Sequence, residues 1–169
     1  MNQNERRRYL IEELLKERPE YENMQIPSDA GEQKMLLRSL MYIRMPEEID
    51  PAFLQIQDAY LSEENEKKGI VTLADIGEVQ PDLSIWKGDV TRLKVGAIVN
   101  AANSGMTGCY QPCHNCIDNC IHTYAGIQQT LMFLCQPSLH NRTNSMNHII
   151  TWQIKRWRNL CLPCRFFMS

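Results

Sequence analysis

Residues 83–119 read LSIWKGDVTRLKVGAIVNAANSGMTGCYQPCHNCIDN, and this stretch decides the fold. A short apolar run, Asp82 to Trp86, meets the polar turn Lys87-Gly88-Asp89. A second apolar run, Val95 to Val99, ends in Asn100-Ala101-Ala102-Asn103-Ser104-Gly105. A loop dense in Cys and His follows, and a helical pattern opens at Ile117. Strand, polar turn, strand, Asn/Gly loop, helix is how an α/β protein offers ligand-binding groups at the carboxyl ends of its strands. Ala97-Ile98-Val99 is rich in β-branched residues and reads as a strand buried on both faces.

Outward from this stretch, Gly69 to Ile76 reads as a further strand. Three helices are expected before it. Residues 4–17 carry an apolar stripe of Tyr9, Leu10, Leu14 and Leu15, and Pro19 ends them. Ser28-Asp29 is a helix cap with Glu32 in the first turn, and the helix runs to about Met45. Its expected buried side is Met35, Leu36, Ser39, Leu40 and Ile43. Asp50-Pro51 is a cap followed by proline at the first helical position, ahead of Phe53, Leu54, Ile56, Gln57, Tyr60 and Leu61. Ser62 to Lys68 reads as a solvated linker, and the three helices as an accessory bundle covering a sheet edge. After Ile117, the residues Ile121, Tyr124, Ile127, Gln128, Leu131 and Leu134 recur at helical spacing. They predict a helix to about Cys135 with Gly126 inside it, at a cost of ~1 kcal/mol relative to Ala.

A chain of 169 residues is enough for one domain with a small appendage. The net charge of −2 gives no prior for nucleic acid or an anionic membrane. No apolar run approaches ~18 residues, so no membrane span is expected, and a cytoplasmic location is the default. Seven cysteines is a high, odd number; four fall within residues 109–120, which favours a metal over disulfides. Charge is uneven: all 20 Asp and Glu lie at or before Asp118. Residues 148–160 form an apolar segment without a clear period, helix or strand.

The site chemistry follows from residue type. Asp89, after a strand and a glycine, can accept a hydrogen bond from an exocyclic amine, or bond its own turn backbone. Asn100 and Asn103 flank two alanines, whose small side chains admit a close ligand, and an Asn amide both donates and accepts. Ser104-Gly105 can turn backbone N–H groups toward phosphate. Cys109, Cys113, His114, Cys116 and Cys120 are all of zinc-ligand type, and spacing alone leaves several ligand sets open, Cys113-x-x-Cys116 among them. A closed four-ligand structural zinc is one of these. Ile117-Asp118-Asn119 opens a helix whose free N–H groups favour negative charge, and Asp118 and Asn119 can also cap it. Cys161-x-x-Cys164 is a lone pair without a partner pair.

Gly88-Asp89-Val90-Thr91 followed by Ala97-Ile98-Val99-Asn100-Ala101-Ala102-Asn103 resembles the ADP-ribose-binding signature of macrodomains. Gly108-Cys109-Tyr110-Gln111-Pro112-Cys113-His114-Asn115-Cys116-Ile117-Asp118-Asn119 resembles the zinc-dependent macrodomains of bacteria and fungi, which are protein ADP-ribosylhydrolases. The resemblance covers residues 70–128 closely and 1–69 more loosely. It implies a macrodomain-like three-layer α/β/α sheet, incomplete at its C-terminus, with an N-terminal helical extension. The division it implies is 1–68 helical extension, 69–128 first part of the macrodomain and 129–169 a divergent basic tail.

It further implies zinc-dependent removal of mono-ADP-ribose from protein side chains, with Cys109, His114 and Cys116 as zinc ligands. Asp89 would hold adenine with the Val90 backbone beside it, and Asn103 would face the distal ribose, where the bond is cleaved. Cys116, Ile117, Asp118 and Asn119 would lie against ADP-ribose. The partners it implies are ADP-ribose and mono-ADP-ribosylated proteins, a lipoyl-carrier protein among the candidates. Two other readings share these motifs: a non-catalytic ADP-ribose-binding module and an inactive fragment. The resemblance stops near Gln128, and no glycine after Gly126 can build a second phosphate loop. Loss of family pattern together with acidic residues is what a shifted reading frame produces, and residues from about 129 are expected to be out of frame.

Overall fold

The computed structural model describes residues 1–96, 98–102, 108–129 and 149–152. Local signals set the helices. α1 (Gln3–Lys16) opens with a capping box: the Asn2 side chain accepts from the Glu5 amide at 3.0 Å, and the Asn2 amide donates to Glu5 Oε2 at 2.8 Å. α2 (Ala30–Ile43) is capped by Asp29, which accepts from the Glu32 amide. α3 (Pro51–Lys68) starts at Asp50, which caps Ala52, with proline at the first position.

The apolar faces of α1 to α3 meet in one core, centred on Leu10, Ile11, Leu37 and Phe53, each almost fully buried. Ile127, after the fourth helix, joins the same cluster. The three helices therefore carry the main core of the described residues rather than an accessory cover. α3 also runs on through the segment expected to be a linker. Its polar residues stay helical because they pair at helical spacing and along α1: Lys67 with Glu63 at 2.8 Å, and Arg6 with Glu63 at 2.7 Å. α2 is rotated from the expected face. It buries Leu37, Leu40 and Met41, while Met35 is 58% exposed and Ile43 reaches solvent.

The strands are short. β1 (Val71–Thr72) pairs in parallel with β4 (Leu93–Lys94), Val71 opposite Leu93. β2 (Glu78–Gln80) and β3 (Leu83–Ser84) form an antiparallel pair. β5 (Ile98–Ala101) pairs antiparallel with β6 (Ile149–Trp152), Ile98 opposite Trp152 and Ala101 opposite Ile149. The expected strand over 69–76 is thus cut by a 3-10 turn at Leu73–Asp75, and the expected strand over 95–99 moves to 98–101. β5 is not buried on both faces: Ile98 and Asn100 are buried, Val99 is 53% exposed and Ala101 is exposed. One covered face gives the alternation of period two.

α4 (Ile117–Ala125) breaks at Gly126, inside the run expected to stay helical; residues 128 and 129 are helical again, and the rest of the run to about residue 135 lies outside the described residues. Gly126 is its C-cap residue, at φ +83° and ψ 175°, a conformation essentially restricted to glycine. Leu131, Leu134 and Cys161-x-x-Cys164 lie outside the described residues, as does most of 129–169. No helix among the described residues is long and apolar enough to cross a membrane.

Candidate metal centre

The loop between β5 and α4 folds back on itself through three positive-φ positions: Gly108 at +93°, Tyr110 at +58° and Cys113 at +55°. These tight bends bring together side chains that spacing alone left ambiguous. The ligating atoms of Cys109, His114 and Cys116 all lie within 4.8 Å of one another. Cys113 turns the other way. Its Sγ sits 3.2 Å from Ser39 Oγ and 3.5 Å from the Met35 carbonyl, both on α2. Among the described residues, the cluster is Cys2His.

The donor set fits zinc. Zn–S near ~2.3 Å and Zn–N near ~2.05 Å at a tetrahedral angle put sulfur and nitrogen about 3.6 Å apart. Cys109 Sγ and His114 Nδ1 are 3.6 Å apart. Cys109 and Cys116 are half-buried and His114 is exposed, so the group faces solvent on one side and leaves room for a further ligand.

A network of part-buried hydrogen bonds, with one exposed, holds the loop in place. Cys116 is the N-cap residue of α4 and its Sγ accepts the Asn119 amide at 3.4 Å. Asn119, fully buried, donates through Nδ2 to the Gln111 carbonyl at 2.9 Å and to Cys109 Sγ at 3.7 Å. Its Oδ1 accepts from Arg38 at 2.6 Å. Arg38 also donates to the His114 carbonyl at 2.7 Å and to Thr123 Oγ1 at 3.1 Å.

The two thiols are electrostatically unlike. Burial opposes ionisation of Cys109, but hydrogen bonds led by Tyr42 outweigh it and hold the thiol down at about 6. Burial pushes the Cys116 thiol up, and the charge on Cys109 adds to the rise. Burial likewise raises Tyr42, whose ring packs against Gly108.

Behind the cluster, Asp118 is buried and accepts from Asn100 Nδ2 at 2.7 Å, tying the end of β5 to α4. His122 is buried too, 3.6 Å from Asp118 and edge-on to Tyr42. Burial lowers its pKa, against the pull of the Asp118 charge. The Asp118 and Asn119 side chains are committed to the framework, whereas Ile117 is half-exposed.

Asp89 caps a 3-10 turn, Val90–Arg92. Its carboxylate accepts from the Thr91 amide at 3.0 Å, the Thr91 hydroxyl at 2.7 Å and Lys68 Nζ at 3.2 Å. These bonds keep it ionised against partial burial, lowering its pKa. Lys68 lies at the same time over the Tyr124 ring of α4, 3.2 Å from its centroid. Asn103, with Ser104 and Gly105, lies outside the described residues.

Sequence reasoning did not single out Arg38 or Tyr42, and named Ser39 only as part of a buried helix face. One signal was present: Arg38 is the sole charge in the run MLLRSLMYI of α2, where a half-buried guanidinium needs acceptors.

The fold and the cluster together describe a mixed α/β chain with a Cys2His group that could hold a metal at a helix N-terminus. Such a chain has curated relatives. It is 59% identical over 132 residues to the protein-ADP-ribose hydrolase of Treponema medium, the match covering 76% of this chain and 51% of the relative. It is 40% identical over 124 residues to the protein-ADP-ribose hydrolase of Staphylococcus aureus strain MRSA252, covering 73% of this chain and 46% of the relative. The chain thus spans about half the length of the curated relatives it matches. No family model matches it.

Proposed function

We propose that this chain is a protein-ADP-ribose hydrolase of the zinc-dependent macrodomain type, with a three-layer α/β/α plan, acting on mono-ADP-ribosylated protein side chains. The observation that carries the reading is the convergence of Cys109, His114 and Cys116 within 4.8 Å on a loop of the family's pattern. Similarity to curated hydrolases supports the activity. Cytoplasm, whose reducing poise keeps thiols free, is the matching compartment.

In this reading Cys109, His114 and Cys116 hold the zinc. Three protein ligands leave a position open, and bound zinc supplies a Lewis acid that acidifies water or polarises ribose hydroxyls. Asp89 holds adenine N6 with the Val90 backbone beside it, and Asn103 faces the distal ribose. The first turn of α4 presents the Ile117 and Asp118 N–H groups and the positive end of its dipole toward the negative ligand, while the Asn119 N–H is held by Cys116 Sγ.

Calorimetric titration of ADP-ribose into the zinc-quantified protein tests this, followed by hydrolysis of an ADP-ribosylated protein. Binding should weaken with Asp89→Ala, and hydrolysis should be lost with Cys116→Ala. No ADP-ribose binding with zinc present would refute the assignment. Binding without hydrolysis, unaffected by Cys116→Ala, would make the chain a reader instead.

A further inference from the structure

One face of α2 is given over to the metal loop. Met35, Arg38, Ser39 and Tyr42 follow each other at spacings of three, one and three, which lines them up along the helix. Met35 and Ser39 meet Cys113, Tyr42 packs on Gly108 beside Cys109, and Arg38 reaches His114 and Asn119. The opposite face, Leu37 and Leu40, sits in the helical core. The N-terminal helices therefore form a wall of the metal centre.

Within that wall, Arg38 has a distinctive position. A planar guanidinium donates in fixed directions, so it sets the relative placement of its acceptors. Here the acceptors are the carbonyl of one ligand residue, His114, and the buried amide of Asn119. Asn119 in turn donates to Cys109 Sγ through its side chain and to Cys116 Sγ through its backbone. All three ligand residues are thus one or two hydrogen bonds from a single side chain. Both Arg38 bonds to the site are short, 2.7 and 2.6 Å.

Resting on the zinc reading above, we infer that Arg38 is a positioning residue for the metal centre, fixing the His114 main chain and the Asn119 amide so that Cys109, His114 and Cys116 converge on one ion. Outer partners of this kind change metal affinity by roughly 10–100-fold when removed. The inference makes metal affinity a property of the N-terminal helices as well as of the loop.

Chelator competition on the full chain measures it. Arg38→Met should bind zinc ~10–100-fold more weakly than the unsubstituted protein. Arg6→Met, which removes a different α1–α3 contact away from the loop, should bind zinc normally even if it melts lower. Arg38→Lys keeps the charge without the fork. In the cobalt-substituted protein its visible ligand-field bands should shift or weaken, a readout that general loss of stability does not move. Arg38→Met binding zinc within twofold of the unsubstituted chain would overturn the inference, as would an equal loss in Arg6→Met, or unchanged cobalt bands in Arg38→Lys. Should Arg38→Met fail to fold, the lysine variant and its spectrum decide. If the unsubstituted chain binds no zinc, the zinc reading itself falls, a result separable from failure of Arg38.

Discussion

Replacing Gly126 by alanine separates two descriptions of the same residue by sign. Inside a helix, Gly126→Ala would stabilise by ~1 kcal/mol. The structure places Gly126 at the end of α4 with φ +83° and ψ 175°, where a side chain costs ~1–3 kcal/mol. A Cβ there would also collide with the Gln57 amide nitrogen, and would stand 2.6 Å from Gln128 Oε1 and 2.9 Å from Gln57 Cδ. Gln57 cannot move freely. It is fully buried, its Oε1 accepts the Ile127 amide at 3.0 Å, and its Nε2 donates to Gln128 at 2.6 Å. Displacing it leaves buried polar groups unpaired, at ~1–3 kcal/mol. The sum is a loss of ~2–6 kcal/mol, and at ~2–4 °C per kcal/mol the melting temperature falls by about 4–24 °C. Thermal unfolding by circular dichroism in metal-free buffer measures it. Repeating the substitution in a Gln57→Ala background relieves the collision with Gln57 and should leave a smaller loss, the backbone part together with the contact to Gln128. An unchanged or raised melting temperature for Gly126→Ala would refute the reasoning.

Two further outcomes are expected. Cys113→Ser should leave zinc stoichiometry intact because its thiol faces Ser39 and Met35, whereas Cys116→Ser should abolish tight binding; equal loss in both would place Cys113 in the ligand set. Asp58 tests the pH dependence. Burial raises its pKa above 3.8, against hydrogen bonds from Gln128 and Gln57. Because the folded pKa lies above the unfolded one, the folded state holds this proton more tightly. Its contribution to stability is greatest below pH 3.8 and falls as pH rises through the folded value. Asp58→Asn should therefore raise the melting temperature at pH 7 and flatten its decline above pH 4; a lower value at pH 7 would contradict this.

What the sequence made legible is what acts over a few residues. Asp29 and Asp50-Pro51 mark helix starts because capping is a bond to an amide two or three positions on. Boundaries that depend on distant partners were not legible. The charged end of α3 looks like a linker until Gln3 and Arg6 of α1 are set beside it. The rotation of α2 depends on a loop more than seventy residues later, reached by Arg38. Spacing likewise left the metal ligands open: separating Cys113 from Cys109 and Cys116 required the positive-φ bends at Tyr110 and Cys113 itself.

In the proposed reading the Cys2His cluster and the Asp89 turn are the two ends of one site, and they are built differently. At the cluster, Cys109 and the Gln111 carbonyl are held by a buried donor, the Asn119 amide. At the other end Asp89 is partly exposed and already accepts three hydrogen bonds, two on Oδ1 from Thr91 and one on Oδ2 from Lys68. A carboxylate has about four acceptor directions, so one on Oδ2 remains for an amine such as adenine N6. Lys68 meets the same oxygen while its ammonium lies on Tyr124. An incoming amine therefore need not expel Lys68, and the lysine keeps the carboxylate charged and oriented. Since Lys68 ends α3 and Tyr124 lies in α4, the same helical unit that walls the metal loop through Arg38 also holds the Asp89 turn. The helices thus connect the Cys2His cluster and the Asp89 turn through two basic residues, Arg38 from α2 and Lys68 from α3.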